Sequence, residues 1–254
     1  MQNTIIASKS VKGGGLGNAG GLFHALGLSR NSAFTLAEVL ITLGIIGVVA
    51  SMTLPAILQN KQNKELQTAL LKNYSIIQQV LDRMTLDRGV RPKSSDFDYL
   101  EFTPEFLKYF NRTTMCNEGQ EGCASKIEDE NDSNNKTMIK EYLTYNKSRN
   151  VSTTYFDDGK FRTLTEYYMF ENQFPELLII TVDVNGIKKK PNIWGHDLFS
   201  FQLLKNGKLI PAGTPNTNFA NKNTYCSAGS THKLNGIGCT YYAITDKSYW
   251  KNLP

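Results

Sequence analysis

The spacing of apolar and polar positions divides the chain into three regions. From Val39 to Asn60 there is no charged residue, and only scattered Thr, Ser and Gly interrupt the apolar run. Those 22 residues would make about 33 Å of α-helix, enough to cross the hydrocarbon core of a bilayer. A helix buried in a globular core would show a regular polar stripe, and this run has none. Beyond it, Leu66, Leu70, Ile77, Leu81 and Met84 recur at helical spacing, with Lys61, Lys64, Glu65, Gln67, Lys72, Gln78 and Asp82 between them. Pro55 is the only breaker, and a proline can kink a helix without ending it. The pattern therefore predicts one helix over Leu36–Leu86, about 75 Å long. Its first half is apolar all round; its second half is amphipathic and needs a surface to pack on.

After Leu86 the period changes. Thr103–Asn111 reads as a short helix with Thr103 as N-cap and Pro104 in the first turn. The Cys116–Cys123 segment and Glu128–Lys136 read as loop. From Val151 onward strand signals dominate: Ser152–Phe156, Phe161–Phe170, Leu177–Val184, Leu198–Leu204 and Lys208–Pro211, with a last strand over Cys239–Thr245. Asp158-Gly159 and Asn206-Gly207 have the composition of two-residue hairpin turns. The sum is an α+β fold, a long N-terminal helix followed by a small antiparallel β-rich head. The predicted boundaries are a leader at 1–33, an apolar helix half at 34–60, an amphipathic half at 61–88 and a head at 89–254.

Charge adds little beyond the leader. The chain carries a net +5. Lys9, Lys12 and Arg30, with no acid among residues 1–33, supply three of those charges. The rest of the chain is nearly neutral, so charge gives no argument for a nucleic-acid-binding head.

Four cysteines fall in two close pairs, Cys116/Cys123 and Cys226/Cys239. In an exported chain they are candidates for local disulfides. A zinc site is the weaker reading, because no C-x2-C pair occurs and no histidine stands at ligand spacing.

The apolar run opens with an acid, Glu38. A carboxylate there is costly unless paired, and a simple anchor or signal peptide has no use for it. Ala33-Phe34-Thr35-Leu36-Ala37-Glu38 followed by Val39-Leu40-Ile41-Thr42-Leu43 resembles the prepilin cleavage and methylation motif of type IV pilins and type II secretion pseudopilins. The resemblance implies a prepilin peptidase that cuts between Ala33 and Phe34 and then N-methylates Phe34. Ala33 stands where the family usually has Gly, a departure that keeps a small side chain. Glu38 becomes the fifth residue of the mature chain, where the family keeps a glutamate, and Pro55 matches a common family position. The implied partners are other pilin or pseudopilin subunits and the lipid of the bacterial inner membrane. The head would be extracytoplasmic, and DNA-uptake filaments stay open alongside adhesive pili and secretion. The alternative is a membrane-anchored binding protein that does not polymerise.

Other motifs are weaker. Gly15-Leu16-Gly17-Asn18-Ala19-Gly20 matches G-x-G-x-x-G, but no strand precedes it, so it reads as a linker. The acids Glu128, Asp129, Glu130 and Asp132 read as a solvated loop. Asp183, Asn185 and Asp197 have oxygen-ligand spacing similar to the calcium loop of some pseudopilins. Lys188, Lys189 and Lys190 would repel that cation, and the same Asx side chains serve equally to cap turns. Calcium is therefore the one cofactor in question. His24, His196 and His232 form no catalytic or metal constellation with any Ser, Cys or acid, so the expectation is a protein that is not an enzyme.

Overall fold

The computed structural model describes residues 34–117, 119–128, 137–173 and 176–254. The leader, Ala33, the G-x-G-x-x-G stretch, His24 and three of the four loop acids, Asp129, Glu130 and Asp132, lie outside them. The elements in chain order are α1 Leu36–Arg88, α2 Phe102–Leu107, β1 Thr114–Met115, β2 Lys126–Glu128, β3 Thr137–Leu143, β4 Asn150–Ser152, β5 Lys160–Arg162, β6 Tyr167–Gln173, β7 Leu177–Asp183, β8 Leu198–Leu204, β9 Leu209–Pro211, α3 Lys222–Tyr225 and α4 Cys239–Thr245. This is the α+β, pilin-like architecture the pattern predicts. The chain divides into two compact units between Ala50 and Ser51.

The helix α1 is continuous for 53 residues and runs through Pro55. Its C-terminal part buries Asn63, Leu66, Leu70, Asn73, Ile77, Val80, Leu81 and Met84, a face spaced by threes and fours. That face packs on a six-stranded sheet of order β1-β5-β6-β7-β8-β9, every neighbouring pair antiparallel. Strand alternation then sorts the core into two layers. Tyr168, Phe170, Leu178, Ile180, Val182, Phe199, Phe201 and Leu203 join the cluster under α1. Tyr167, Met169, Leu177, Ile179 and Leu198 turn to the other face and meet Ile139, Tyr142, Val151, Phe156 and Trp194. That second layer is roofed in part by a three-stranded sheet, β2-β3-β4. With both faces covered, β7 is buried along its whole length.

Two buried asparagines fix α1 against the head. Asn73 accepts from the Tyr168 hydroxyl (2.7 Å) and donates to the Ala69 carbonyl, and Asn63 donates to the Trp250 carbonyl (2.7 Å). Lys72 reaches Glu166 at 3.0 Å, where Thr163 and Thr165 also donate to the carboxylate. Burial works to raise the pKa of Glu166, but those three hydrogen bonds and the ammonium charge outweigh it and hold it below the ordinary value.

Several expectations are corrected. Thr103 is not an N-cap: α2 starts at Phe102, and the buried Thr103 hydroxyl donates to the Asp158 carbonyl (2.9 Å). Ser152–Phe156 is strand only through Ser152; Thr153–Tyr155 forms a 3-10 turn whose first free amide, Thr154 N–H, is capped by the Ser152 hydroxyl. Asp158-Gly159 does not close a hairpin, because β4 and β5 lie in different sheets. Phe161–Phe170 is two strands with a reversal at Leu164-Thr165, held by Thr163, whose N–H bonds the Glu166 carbonyl and whose hydroxyl accepts from the Glu166 N–H. The β8–β9 hairpin falls where predicted but has a three-residue loop, Lys205-Asn206-Gly207, with Gly207 at φ +76°. Cys239–Thr245 is a helix, not a strand. Cys239, Thr240 and Ala243 form its buried face, a spacing that only helix satisfies.

Both cysteine pairs close as disulfides, Cys116–Cys123 and Cys226–Cys239. Cys226 and Cys239 are buried in the core beneath α1, and their bridge spans a sequence separation of 13. Replacing both by Ser is expected to reduce head stability by roughly 3 kcal/mol. Urea melts of the oxidised proteins check this. Reduced wild type, which also loses the Cys116–Cys123 bridge, should fall to the level of the variant or below it.

Candidate functional site

The most informative chemistry lies at the start of α1. Every residue from Phe34 to Lys61 is exposed. Phe34 is 84% exposed, Leu36 78% and Met52 75%, so none of the described residues covers this apolar surface. At roughly 25 cal/mol per Å2, such an area does not persist in water. It is the one described helix that is long and apolar enough to cross a membrane.

The entry to this helix is built by two side chains. The Glu38 carboxylate accepts from the Thr35 N–H (2.8 Å) and the Thr35 hydroxyl (2.8 Å), both at Oε2, and the Thr35 hydroxyl accepts in turn from the Glu38 N–H (3.2 Å). This reciprocal capping box satisfies two helix-end amides and sets a negative charge on the positive end of the helix dipole. Oε1 of Glu38 has no hydrogen bond among the described residues and remains open to a partner. Sequence reasoning read Glu38 for its charge and missed Thr35, although Thr-x-x-Glu ahead of an apolar run is the signature of this cap. Phe34 sits directly before the cap. An amino group created there would add positive charge to a helix end that is already positive, which makes a nearby carboxylate its natural counterion. Gly44 and Gly47 have nothing within 4 Å of where a Cβ would stand, leaving that stretch of backbone open to close approach.

The candidate calcium residues are held differently. Asp183 accepts from the N–H groups of Asn185 (3.1 Å) and Gly186 (2.8 Å) at one oxygen and from the Tyr142 hydroxyl (2.6 Å) at the other. Asp197 accepts from the N–H groups of Asn192 (2.7 Å) and Ile193 (2.8 Å). Asn185 donates to the Lys190 carbonyl (3.1 Å). The two acids thus tie down both ends of the 183–197 loop through its own donors. Burial raises the pKa of both acids. Among the described residues, three acids stand close enough to share a cation only at Asp157, Asp158 and Glu171, away from this loop.

His196, beside Asp197, is buried with its ring against Tyr145 at 5.5 Å between centroids. Burial first, and then the Lys147 ammonium, push its pKa down to about 4, against a hydrogen bond to the Tyr145 backbone. The unfolded chain binds that proton near the ordinary histidine value of 6.5, so the neutral ring's contribution is complete above that pH and is lost as pH falls toward about 4. At about pH 5 the loss is roughly 2 kcal/mol. The raised acids of the same loop act in the opposite sense, gaining stability on acidification. Comparing the pH dependence of His196→Phe with that of wild type cancels them. The variant's urea stability should fall by roughly 2 kcal/mol less than wild type's between about pH 7.5 and pH 5.

Residues 28–54 match the model of the prokaryotic N-terminal methylation motif. The match overlaps the capping box and the exposed apolar half of α1, and the chain therefore carries the prepilin-type motif of type IV pilins and pseudopilins. That family is structural rather than enzymatic. No curated protein and no solved structure is significantly similar to the chain.

Proposed function

We propose that the chain is a processed subunit, of minor pilin or pseudopilin type, in a type IV pilus-like or type II secretion-like filament. Before assembly the apolar half of α1 rests in the bacterial inner membrane with the head outside the cytoplasm. A prepilin peptidase cuts between Ala33 and Phe34 and methylates the Phe34 amine. On assembly the apolar half leaves lipid for a bundle of identical or related helices, and the open Oε1 of Glu38 pairs with the Phe34 amine of a neighbour. In that low-dielectric bundle an unpaired carboxylate is penalised by several kcal/mol, so the pair selects one register.

The observation that carries this reading is an apolar helix half with no cover among the described residues, capped by a carboxylate within the methylation motif. Mass spectrometry of the chain purified from its native membrane tests it. The expected N-terminus is N-methylated phenylalanine at position 34. A mature chain beginning at any other residue overturns the processing step.

A further inference from the structure

A cavity of about 290 Å3 lies in the head where α1 passes from its apolar half to its packed half. Gln59 and Asn60 form one wall, Lys147, Pro191 and His196 a second, and Lys251 a third. Gln59 directly follows Leu58, the last apolar residue of the exposed run, so this wall begins where that run ends. The walls are built rather than incidental. The Gln59 amide donates to Asn63 (2.9 Å), Asn63 donates to the Trp250 carbonyl (2.7 Å), and the Gln62 amide donates to the Lys190 carbonyl (3.2 Å).

Two features of this cavity have no counterpart among the described residues. Lys147 and Lys251 bring two positive charges to its rim, which carries no Asp or Glu side chain and has the α-carboxylate of Pro254 as its one negative group. His196 is 6% exposed, and its buried Nε2 has no hydrogen-bond partner. With Nε2 unpartnered, Nδ1 is assigned as the protonated ring nitrogen and Nε2 as a lone-pair acceptor. A buried acceptor without a donor is costly, so this arrangement favours a hydroxyl-bearing guest.

We propose that this cavity is a binding site for a phosphate group bearing a free hydroxyl, the chemistry of a glycerophosphate lipid headgroup such as phosphatidylglycerol. Lys147 and Lys251 hold the phosphate, and His196 Nε2 accepts a hydrogen bond from the glycerol hydroxyl. The lipid source follows from position, since the site opens where the apolar run stops. In this respect the proposal rests on the reading of that run as bilayer-inserted. A bound headgroup would hold the waiting subunit at a fixed depth until assembly draws it out.

The test uses the full processed chain in nanodiscs of phosphatidylcholine doped with either phosphatidylglycerol or phosphatidylmethanol, which carries the same charge but no hydroxyl. Native mass spectrometry reads the lipid retained on release from the disc. Wild type is expected to retain phosphatidylglycerol about tenfold over phosphatidylmethanol, the ratio a single well-formed hydrogen bond supplies. His196→Phe, which changes no charge, should lose that preference, and Lys147→Ala with Lys251→Ala should lower retention of both lipids about tenfold or more. Should His196→Phe fold poorly, the Nε2 resonance of wild type serves in its place. It should move with phosphatidylglycerol and stay put with phosphatidylmethanol. Equal retention of the two lipids, a preference that survives His196→Phe, an unmoved resonance, or equal protection by free glycerol phosphate overturns the proposal. A chain that never enters the disc overturns the bilayer reading as well, whereas entry without preference overturns this site alone.

Discussion

Glu38→Ala is expected to leave a chain that is processed and folded yet enters filaments at least a hundredfold less well than wild type. The magnitude follows from what the carboxylate does in the proposed assembly. Removing one member of a pair desolvated in a helix bundle costs about 3–5 kcal/mol, because the neighbour's amine is left buried and uncompensated. Each 1.4 kcal/mol is about tenfold in the assembly equilibrium. Loss of the cap alone cannot account for such an effect. Glu38 is exposed and among the described residues bonds only Thr35, and losing a helix cap costs about 1 kcal/mol. Thr35→Ala is the control, since it removes the same cap and keeps the charge. Sheared surface fractions and membrane fractions, probed for both variants and wild type, separate the two roles. Glu38→Ala should accumulate in the membrane with a processed N-terminus, and Thr35→Ala should assemble nearly normally. If both variants assemble alike, the acid matters only as a cap and the proposed pairing falls.

How much of this was readable beforehand depended on how local the cause was. The helix α1 was readable over nearly its whole length, because helix-compatible residues run for many turns and only Pro55 in Leu36–Arg88 opposes it. The strands β7, β8 and β9 were readable from apolar runs bounded by turn residues. The disulfides were readable as pairs because each closes a short local loop. What stayed hidden was set by distant partners. Cys239–Thr245 has the β-branched and aromatic residues of a strand, yet Tyr241 N–H bonds the Ala212 carbonyl and the buried face follows helical spacing. The β5–β6 reversal contains no Gly, Asn or Asp; its turn is made by the Thr163 hydroxyl, and Glu166 is anchored from outside by Lys72. β3 pairs on both sides with strands the sequence hardly marks, β2 and β4. At the assembly end, Glu38 drew attention by its charge, while the open side of its carboxylate emerged only once Thr35 was seen to occupy the other.

Asn63 and Asn73 carry the same lesson into the packing of α1. On pattern alone they are polar interruptions of an apolar face. In the fold they read out the register between the helix and the head, one through Trp250 and the other through Tyr168. A helix that slid by one turn would bury both amides without partners, at a cost of about 1–3 kcal/mol each. The head is thus fixed along a helix whose other half is shaped for different surroundings.

The largest stability effect is expected at Phe106, the centre of the aromatic cluster beneath α1. Phe106 is fully buried and its ring lies 5.3 Å from Phe102, 5.3 Å from Phe110, 5.4 Å from Phe170 and 6.2 Å from Tyr168, centroid to centroid. These neighbours come from α2, from the turn after it and from β6, so the ring joins elements distant in sequence. Truncation to Ala removes the transfer energy of the ring and leaves a cavity that rigid neighbours cannot close, costing about 3–5 kcal/mol. Against a typical stability of about 5–15 kcal/mol this is a large share. The melting temperature of the head should fall by roughly 6–20 °C at the scale of about 2–4 °C per kcal/mol. Phe106→Leu, which refills much of the space, should recover a substantial part of the loss. Phe34 and Glu38 are not among the ring partners of Phe106, so the N-terminal mass of whatever protein survives should be unchanged while its abundance falls. A Phe106→Ala protein that melts within a degree or two of wild type would mean that α2 does not hold this ring against the sheet.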